Sequence, residues 1–310
     1  MATTTTQATF ETGHADMVHD VAWDYYGKRV ATCSSDRMIK VFDVLGGQIT
    51  HLADLSGHQG PVWQVSWAHP KFGSLLASCS YDNCVIIWRE VSTGVWQQVY
   101  ASPLHAASVN SVAWAPHELG LALATASSDG ALSILTNHPD GSWAAQRIEG
   151  AHPVGANAVS WCPATPPGSL PLSSSSNTPA AGTPQRRLAS CGCDGALKIW
   201  YFEGSLGQWQ EEQGSPLTGG HSDWIRDVAW APNLGLPKST IATAGQDGRL
   251  MVWNEKSRGQ WENVLVKEFE GAVWRVNWSV SGNLLSASDA SGNVTLWKEV
   301  VDGKWQQIVQ

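Results

Sequence analysis

The side chains in this sequence best equipped for chemistry are histidines and aspartates set at a repeated interval: His58 with Asp82, His105 with Asp129, and His221 with Asp247. A carboxylate that orients an imidazole is the core of a general-base dyad, so each pair read alone suggests proton transfer or hydrolysis. Cys191-Gly192-Cys193 suggests a zinc site instead, yet no second Cys or His pair stands near it at ligand spacing. Repetition removes the dyad reading as well. A reacting centre is normally unique, whereas these pairs recur, and no nucleophile with its base, metal cluster or phosphate loop survives comparison between the copies. The expected sets of catalytic residues, metal ligands and cofactors are therefore empty.

The elements that carry these residues are short strands. One segment reads Val62-Trp63-Gln64-Val65-Ser66-Trp67, then Leu76 to Asp82, then Val85-Ile86-Ile87-Trp88, and it echoes at Val109 to Leu135 and Ile225 to Trp253. Its first Trp recurs as Trp23, Trp67, Trp114, Trp161, Trp230 and Trp278, which makes six copies. Five copies place an Asp six residues before the closing residue (Asp36, Asp82, Asp129, Asp194 and Asp247), which is aromatic in all but Leu135 of the third, and the sixth has Ser291 there. Apolar runs rich in Val, Ile and Trp, separated by Gly and Asp turns, are strand signals. Most copies add a fourth strand opened by Gly-x-Trp, as at Gly94 to Trp96 and Gly259 to Trp261. Four short strands per repeat describe a propeller blade, so the expected fold is all-β, one propeller domain over residues 1–310 with a Pro- and Ser-rich surface insertion at 163–187.

Composition narrows the partners. With 19 Lys and Arg against 27 Asp and Glu, the net charge of -8 disfavours direct binding to nucleic acid. No stretch has the length of a transmembrane segment, and the N-terminus lacks the basic start and apolar run of a leader, so a soluble, unsecreted protein is expected. Cys33, Cys79 and Cys191 each precede a closing aromatic by nine residues, where other copies have Ala126, Ala244 and Ser288. That position calls for a small side chain, and reduced cysteines fit a cytosolic or nuclear compartment.

Gly57-His58, Ala151-His152 and Gly220-His221, with the recurrent Asp and closing Trp, resemble the WD-repeat family across the whole chain. The resemblance implies a buried hydrogen-bonded network of His58, Asp82 and Trp88, of His105 and Asp129, of His152, Asp194 and Trp200, and of His221, Asp247 and Trp253. Burial of such groups is tolerable only when they are paired.

Counting strands points to the function. The sixth copy closes at Trp297 and supplies its own outer strand from Gly303 to Val309, so the outer-strand-like run before His14 has no blade of its own. Most WD-repeat rings close by lending an N-terminal strand to the last blade. Here that place is taken, which implies a six-bladed open propeller with a seventh blade supplied in trans. Partner contact is expected at the spare strand, Ala8, Thr9, Phe10 and Glu11, and at gap-edge residues Val21, Trp23, Val276 and Trp278. Asp24-Tyr25-Tyr26-Gly27, Ala31 to Asp36, Gly60 to Val65 and His221 to Val228 resemble one family in particular, the Sec-thirteen family shared by the COPII outer coat and the nuclear-pore Y-complex. The resemblance implies a scaffold whose blade is completed by the large outer-coat subunit of COPII or by an α-solenoid nucleoporin. It also implies membership of a nutrient-signalling coat complex. The implied location is the cytoplasm, the endoplasmic reticulum membrane as a peripheral coat, and the nuclear pore complex. The alternatives are a closed adaptor that reads peptides at a channel mouth lined by Trp63, Trp224 and Trp274, and a related open propeller confined to the nuclear pore.

Overall fold

The computed structural model describes residues 10–164, 186–233, 238–301 and 303–308. They form six four-stranded antiparallel sheets, the blades of a WD-repeat β-propeller. Blade one holds β1 (Val18–Trp23), β2 (Arg29–Ser34), β3 (Met38–Leu45) and β4 (Gln48–Ser56), and blade two β5 (Val62–Trp67), β6 (Leu75–Ser80), β7 (Val85–Ser92) and β8 (Val95–Ser102). Blade three holds β9 (Val109–Trp114), β10 (Ala122–Ser127), β11 (Leu132–Asn137) and β12 (Trp143–Ile148), and blade four β13 (Ala156–Trp161), β14 (Arg187–Gly192), β15 (Leu197–Glu203) and β16 (Gln208–Glu211). Blade five holds β17 (Ile225–Trp230), β18 (Thr240–Gly245), β19 (Arg249–Ser257) and β20 (Gln260–Glu268), and blade six β21 (Val273–Trp278), β22 (Leu284–Asp289), β23 (Val294–Glu299) and β24 (Trp305–Ile308). The last strand pairs with β23, so the C-terminal segment supplies blade six with its outer strand. The insertion expected at 163–187 lies outside the described residues apart from its two ends.

The chain divides into two compact units, residues 1–112 and 113–310, with the division inside β9. Each unit obeys one packing rule. In the first, Val65, Trp67, Leu76 and Trp88 of blade two pack on Ala22, Ala31, Cys33 and Val41 of blade one. In the second, Val159, Trp161 and Trp200 of blade four pack on Ala113, Ala124 and Ala126 of blade three. Blade five likewise sets Val228, Trp230 and Trp253 on Ala158, Ala189 and Cys191 of blade four. A bulky face thus always meets the small face of the preceding blade, which lets side chains interdigitate at interior density. Covering a valine of this kind is worth about 1.5–3 kcal/mol relative to leaving it in water.

Val276 and Trp278 require a correction. They were expected on a free edge, but they pack on Ala242, Ala244 and Val252 of blade five. Val276 is buried, and the Trp278 indole donates to the Ala229 carbonyl at 3.0 Å. Alternation identifies the bulky residues without saying which neighbour they meet. Since every bulky face turns toward the preceding blade, that of blade six is already used.

A β-bulge recurs near the start of the inner strands, with the register shifting across His19, Trp63, Asn157, Arg226 and Trp274. The extra residue returns Val62 and Val65 to one buried face although they lie three apart, and it aims the bulged side chain elsewhere.

Candidate functional site: an uncovered blade face

The His–Asp pairs resolve into a repeated four-membered relay. His58 Nδ1 lies 3.0 Å from Asp82 Oδ2 and its Nε2 2.8 Å from Ser78 Oγ, which also accepts from Trp88 Nε1 at 2.9 Å. His152, Asp194, Ser190 and Trp200 repeat the arrangement at 2.9, 2.8 and 2.8 Å. His221, Asp247, Thr243 and Trp253 repeat it at 3.1, 2.8 and 2.9 Å. An indole only donates and a carboxylate only accepts, so the direction is fixed. The Trp N–H donates to the hydroxyl oxygen, the hydroxyl to Nε2, and Nδ1–H to the carboxylate. This is a Ser-His-Asp constellation turned inward, with Ser78 and Ser190 fully buried and the oxygen that would attack a substrate already accepting from an indole.

Close approach explains the small residues around it. A Cβ on Gly245 would lie 2.3 Å from His221 Nδ1, and one on Gly220 would lie 2.5 Å from the Trp253 ring. Burial opposes the charge on Asp82, but hydrogen bonds from His58 and the Gln59 N–H outweigh it and hold the carboxyl at about 2. Asp247 is also held at about 2, with His221 and the Ser222 N–H overcoming burial. In blade three Asp129 also accepts from Arg147 Nη2 at 2.8 Å, and His105 is buried. In blade six the turn is tied by Asp289 rather than by a residue at 291, its Oδ1 accepting the N–H groups of Ser291 and Asn293, both at 2.9 Å.

Blade one breaks the packing rule. Val21 and Trp23 are each 55% exposed, while their counterparts Val65 and Val228 are 3% and 4% exposed. Trp67 donates to the Ala22 carbonyl at 3.0 Å and Trp161 to the Ala113 carbonyl at 2.9 Å, but Trp23 makes no such bond among the described residues. Other inner-strand tryptophans also meet an outer-strand tryptophan edge-on, as Trp67 meets Trp96 and Trp230 meets Trp261, both at 5.8 Å between centroids. Blade one has Ile49 where blade two has Trp96, two residues after the turn glycine in each case. Tyr25 and Tyr26, just beyond β1, are exposed too. An exposed apolar face of this kind is a candidate for a protein interaction surface.

Ala8 and Thr9 lie outside the described residues. Phe10 and Glu11 are not in a strand, and Phe10 rests edge-on against Phe42 at 5.2 Å. His14 ties the same segment down, 2.8 Å from Asp36 and 2.9 Å from Thr32 Oγ1. The face of blade six opposite Val276 carries exposed Asn277 and Val294. Sequence reasoning missed the bridging hydroxyls of Thr32, Ser78, Ser190 and Thr243. Their recurrence ten residues before the closing aromatic was the available signal.

Comparison with known proteins agrees with this architecture. The family described as "WD domain, G-beta repeat" matches residues 4–43, 49–89, 214–254 and 263–298. The chain is 60% identical to "Protein transport protein SEC13 homolog A" of Arabidopsis thaliana over 86% of each chain. It is 53% identical to "Protein SEC13 homolog" of Dictyostelium discoideum, over 86% of this chain and 85% of the relative. It is 56% identical to "Protein transport protein SEC13" of Chaetomium thermophilum, over 87% and 85%.

Proposed function

The chain belongs to the Sec-thirteen family of WD-repeat proteins, and from that premise we propose that it is a non-catalytic structural subunit of the COPII outer cage and of the nuclear-pore Y-complex, completed by a partner's blade. The uncovered face of Val21 and Trp23 is the observation that carries this reading. Relatives named for protein transport support the vesicle-coat role. The large outer-coat subunit is the blade donor in the coat and an α-solenoid nucleoporin in the pore scaffold, with a nutrient-signalling coat as a further assembly. The protein accordingly works in the cytoplasm, at the endoplasmic reticulum membrane without entering it, and at nuclear pores.

The packing rule specifies what the donated blade must offer. Its face toward Val21 and Trp23 must be small, as Ala22, Ala31 and Cys33 are beneath blade two. Its inner strand must give a carbonyl to Trp23 Nε1. It must also supply a carboxylate or amide oxygen to the Val21 N–H, since Asp20 serves Val65 at 3.2 Å, Gln64 serves Val112 at 2.8 Å and Asp227 serves Val276 at 3.0 Å. A stable union of this kind buries on the order of 2,000 Å². The blade-bearing segment of the large outer-coat subunit, when co-expressed, is expected to raise the yield of soluble chain and to co-purify with it. Trp23→Glu abolishes co-purification, and equal solubility with and without the segment argues against the proposal.

A further inference from the structure

The bulge that recurs in the inner strands re-aims one side chain per strand, and in the unit spanning 113–310 two of these are Arg226 of β17 and Trp274 of β21. The Arg226 guanidinium carbon sits 5.0 Å from the ring centroid of Trp224 and 4.8 Å from that of Trp274. A cation is therefore sandwiched between two indoles, which nonetheless remain 42% and 46% exposed. Gln246 fixes the plane of the guanidinium, its Oε1 accepting from Nε at 2.9 Å and from Nη2 at 2.6 Å.

The partner of this arginine is uncharged. Arg29, Arg147, Arg187, Arg249 and Arg258 each pair with a carboxylate, whereas Arg226 is held by an uncharged amide. Asp223 lies on the same loop, but its Oδ1 accepts the Trp224 N–H at 2.7 Å. In a chain with 27 acidic and 19 basic residues, a pre-oriented cation between exposed aromatic rings, with no carboxylate bonded to it among the described residues, is suited to receive an anionic group. Gln246 occupies one edge of the fork, and the remaining Nη1 and Nη2 N–H groups suit a carboxylate approaching end-on.

We propose that Trp224, Arg226 and Trp274 form a recognition site for a peptide segment that carries a carboxylate between apolar side chains. The carboxylate accepts from the open edge of Arg226, and the flanking apolar groups lie on the two indoles. This site is distinct from the uncovered face of blade one and does not depend on the reading given for that face. A single-stranded nucleic acid could stack on the same rings, but the net charge of -8 opposes a phosphate chain.

Fluorescence anisotropy with the full chain tests this, using a labelled Leu-Glu-Leu-Glu-Leu peptide, its glutamine counterpart and a labelled oligothymidylate. The glutamate peptide is expected to bind saturably and the glutamine peptide at least about tenfold more weakly, as expected for loss of a charge-assisted fork. Arg226→Gln lowers affinity by a similar factor. Arg226→Lys retains part of it, because an ammonium keeps the charge without the planar fork. Trp224→Ala, at an exposed position that does not threaten folding, weakens binding. No saturable binding, equal binding of the glutamine peptide, or indifference to both Arg226→Gln and Trp224→Ala overturns the proposal. Tighter binding of oligothymidylate also overturns it and reassigns the rings to nucleic acid.

Discussion

The tetrapeptide Asp-Val-Ala-Trp occurs twice, at residues 20–23 and 227–230, on the inner strands of blades one and five. In blade five Val228 and Trp230 are 4% and 5% exposed, and in blade one Val21 and Trp23 are both 55% exposed. Local sequence is identical, so propensity and side-chain size cannot account for the difference. What differs is the surface in front of each face. Blade four supplies Ala158, Ala189 and Cys191 to blade five, whereas the described residues of the N-terminal segment set Phe10 against Phe42 and His14 against Thr32 of blade one. Burial in a repeat protein is decided by the neighbour, so one tetrapeptide is buried in blade five and exposed in blade one.

Truncating the two tryptophans breaks the comparison most sharply. Trp230→Ala is expected to cost about 3–5 kcal/mol of folding stability, as large-to-small changes at buried aromatics do. Trp23→Ala should change the stability of the free chain by no more than about 0.5 kcal/mol while weakening partner binding by about 2 kcal/mol or more. Denaturant unfolding and calorimetric binding measure the two, and similar stability losses for both would erase the distinction.

Next come the relays. His221→Ala strips Thr243 and Asp247 of a partner in a buried setting, for an expected loss of about 1–3 kcal/mol in chemical denaturation. Acid titration gives a smaller effect of known sign. Asp82 and Asp247 are held at about 2 in the folded chain, below the value of about 3.9 for an unfolded aspartate. Their contribution is complete above about pH 4 and drains away as pH falls toward about 2. Asp82→Asn should flatten that part of the stability–pH curve, and an unchanged slope would show that the relay is not the source. The smallest expected effect follows from giving blade one the ring pair it lacks. Ile49→Trp should stabilise the free chain by about 0.5–1 kcal/mol, the worth of an edge-on aromatic pair, as read from the denaturation midpoint.

Much of this was legible in the residues. Alternation and turn glycines expose the blades, and recurrence of His, Asp and the closing aromatic identifies a structural relay instead of a dyad. The tail strand from Gly303 onward is also legible, and β24 pairs where that reading put it. Four features were not. The relay hydroxyls of Ser78 and Thr243 are small polar residues in strands full of them. The bulges at Arg226 and Trp274 arise from strand register, which alternation alone does not reveal. The direction in which bulky faces stack is a tertiary property, so Val276 and Trp278 read as an edge although they face blade five. Asp289 escaped notice because it sits two residues before the position its homologues in other blades occupy.

Hydroxyl-radical footprinting of Trp23 and Trp230, on the free chain and again with the blade-donating partner bound, is the most direct measurement. The account predicts rapid oxidation of Trp23 in the free chain, protection on complex formation, and protection of Trp230 in both states. A Trp23 already protected in the monomeric chain, or still reactive in the complex, would contradict it.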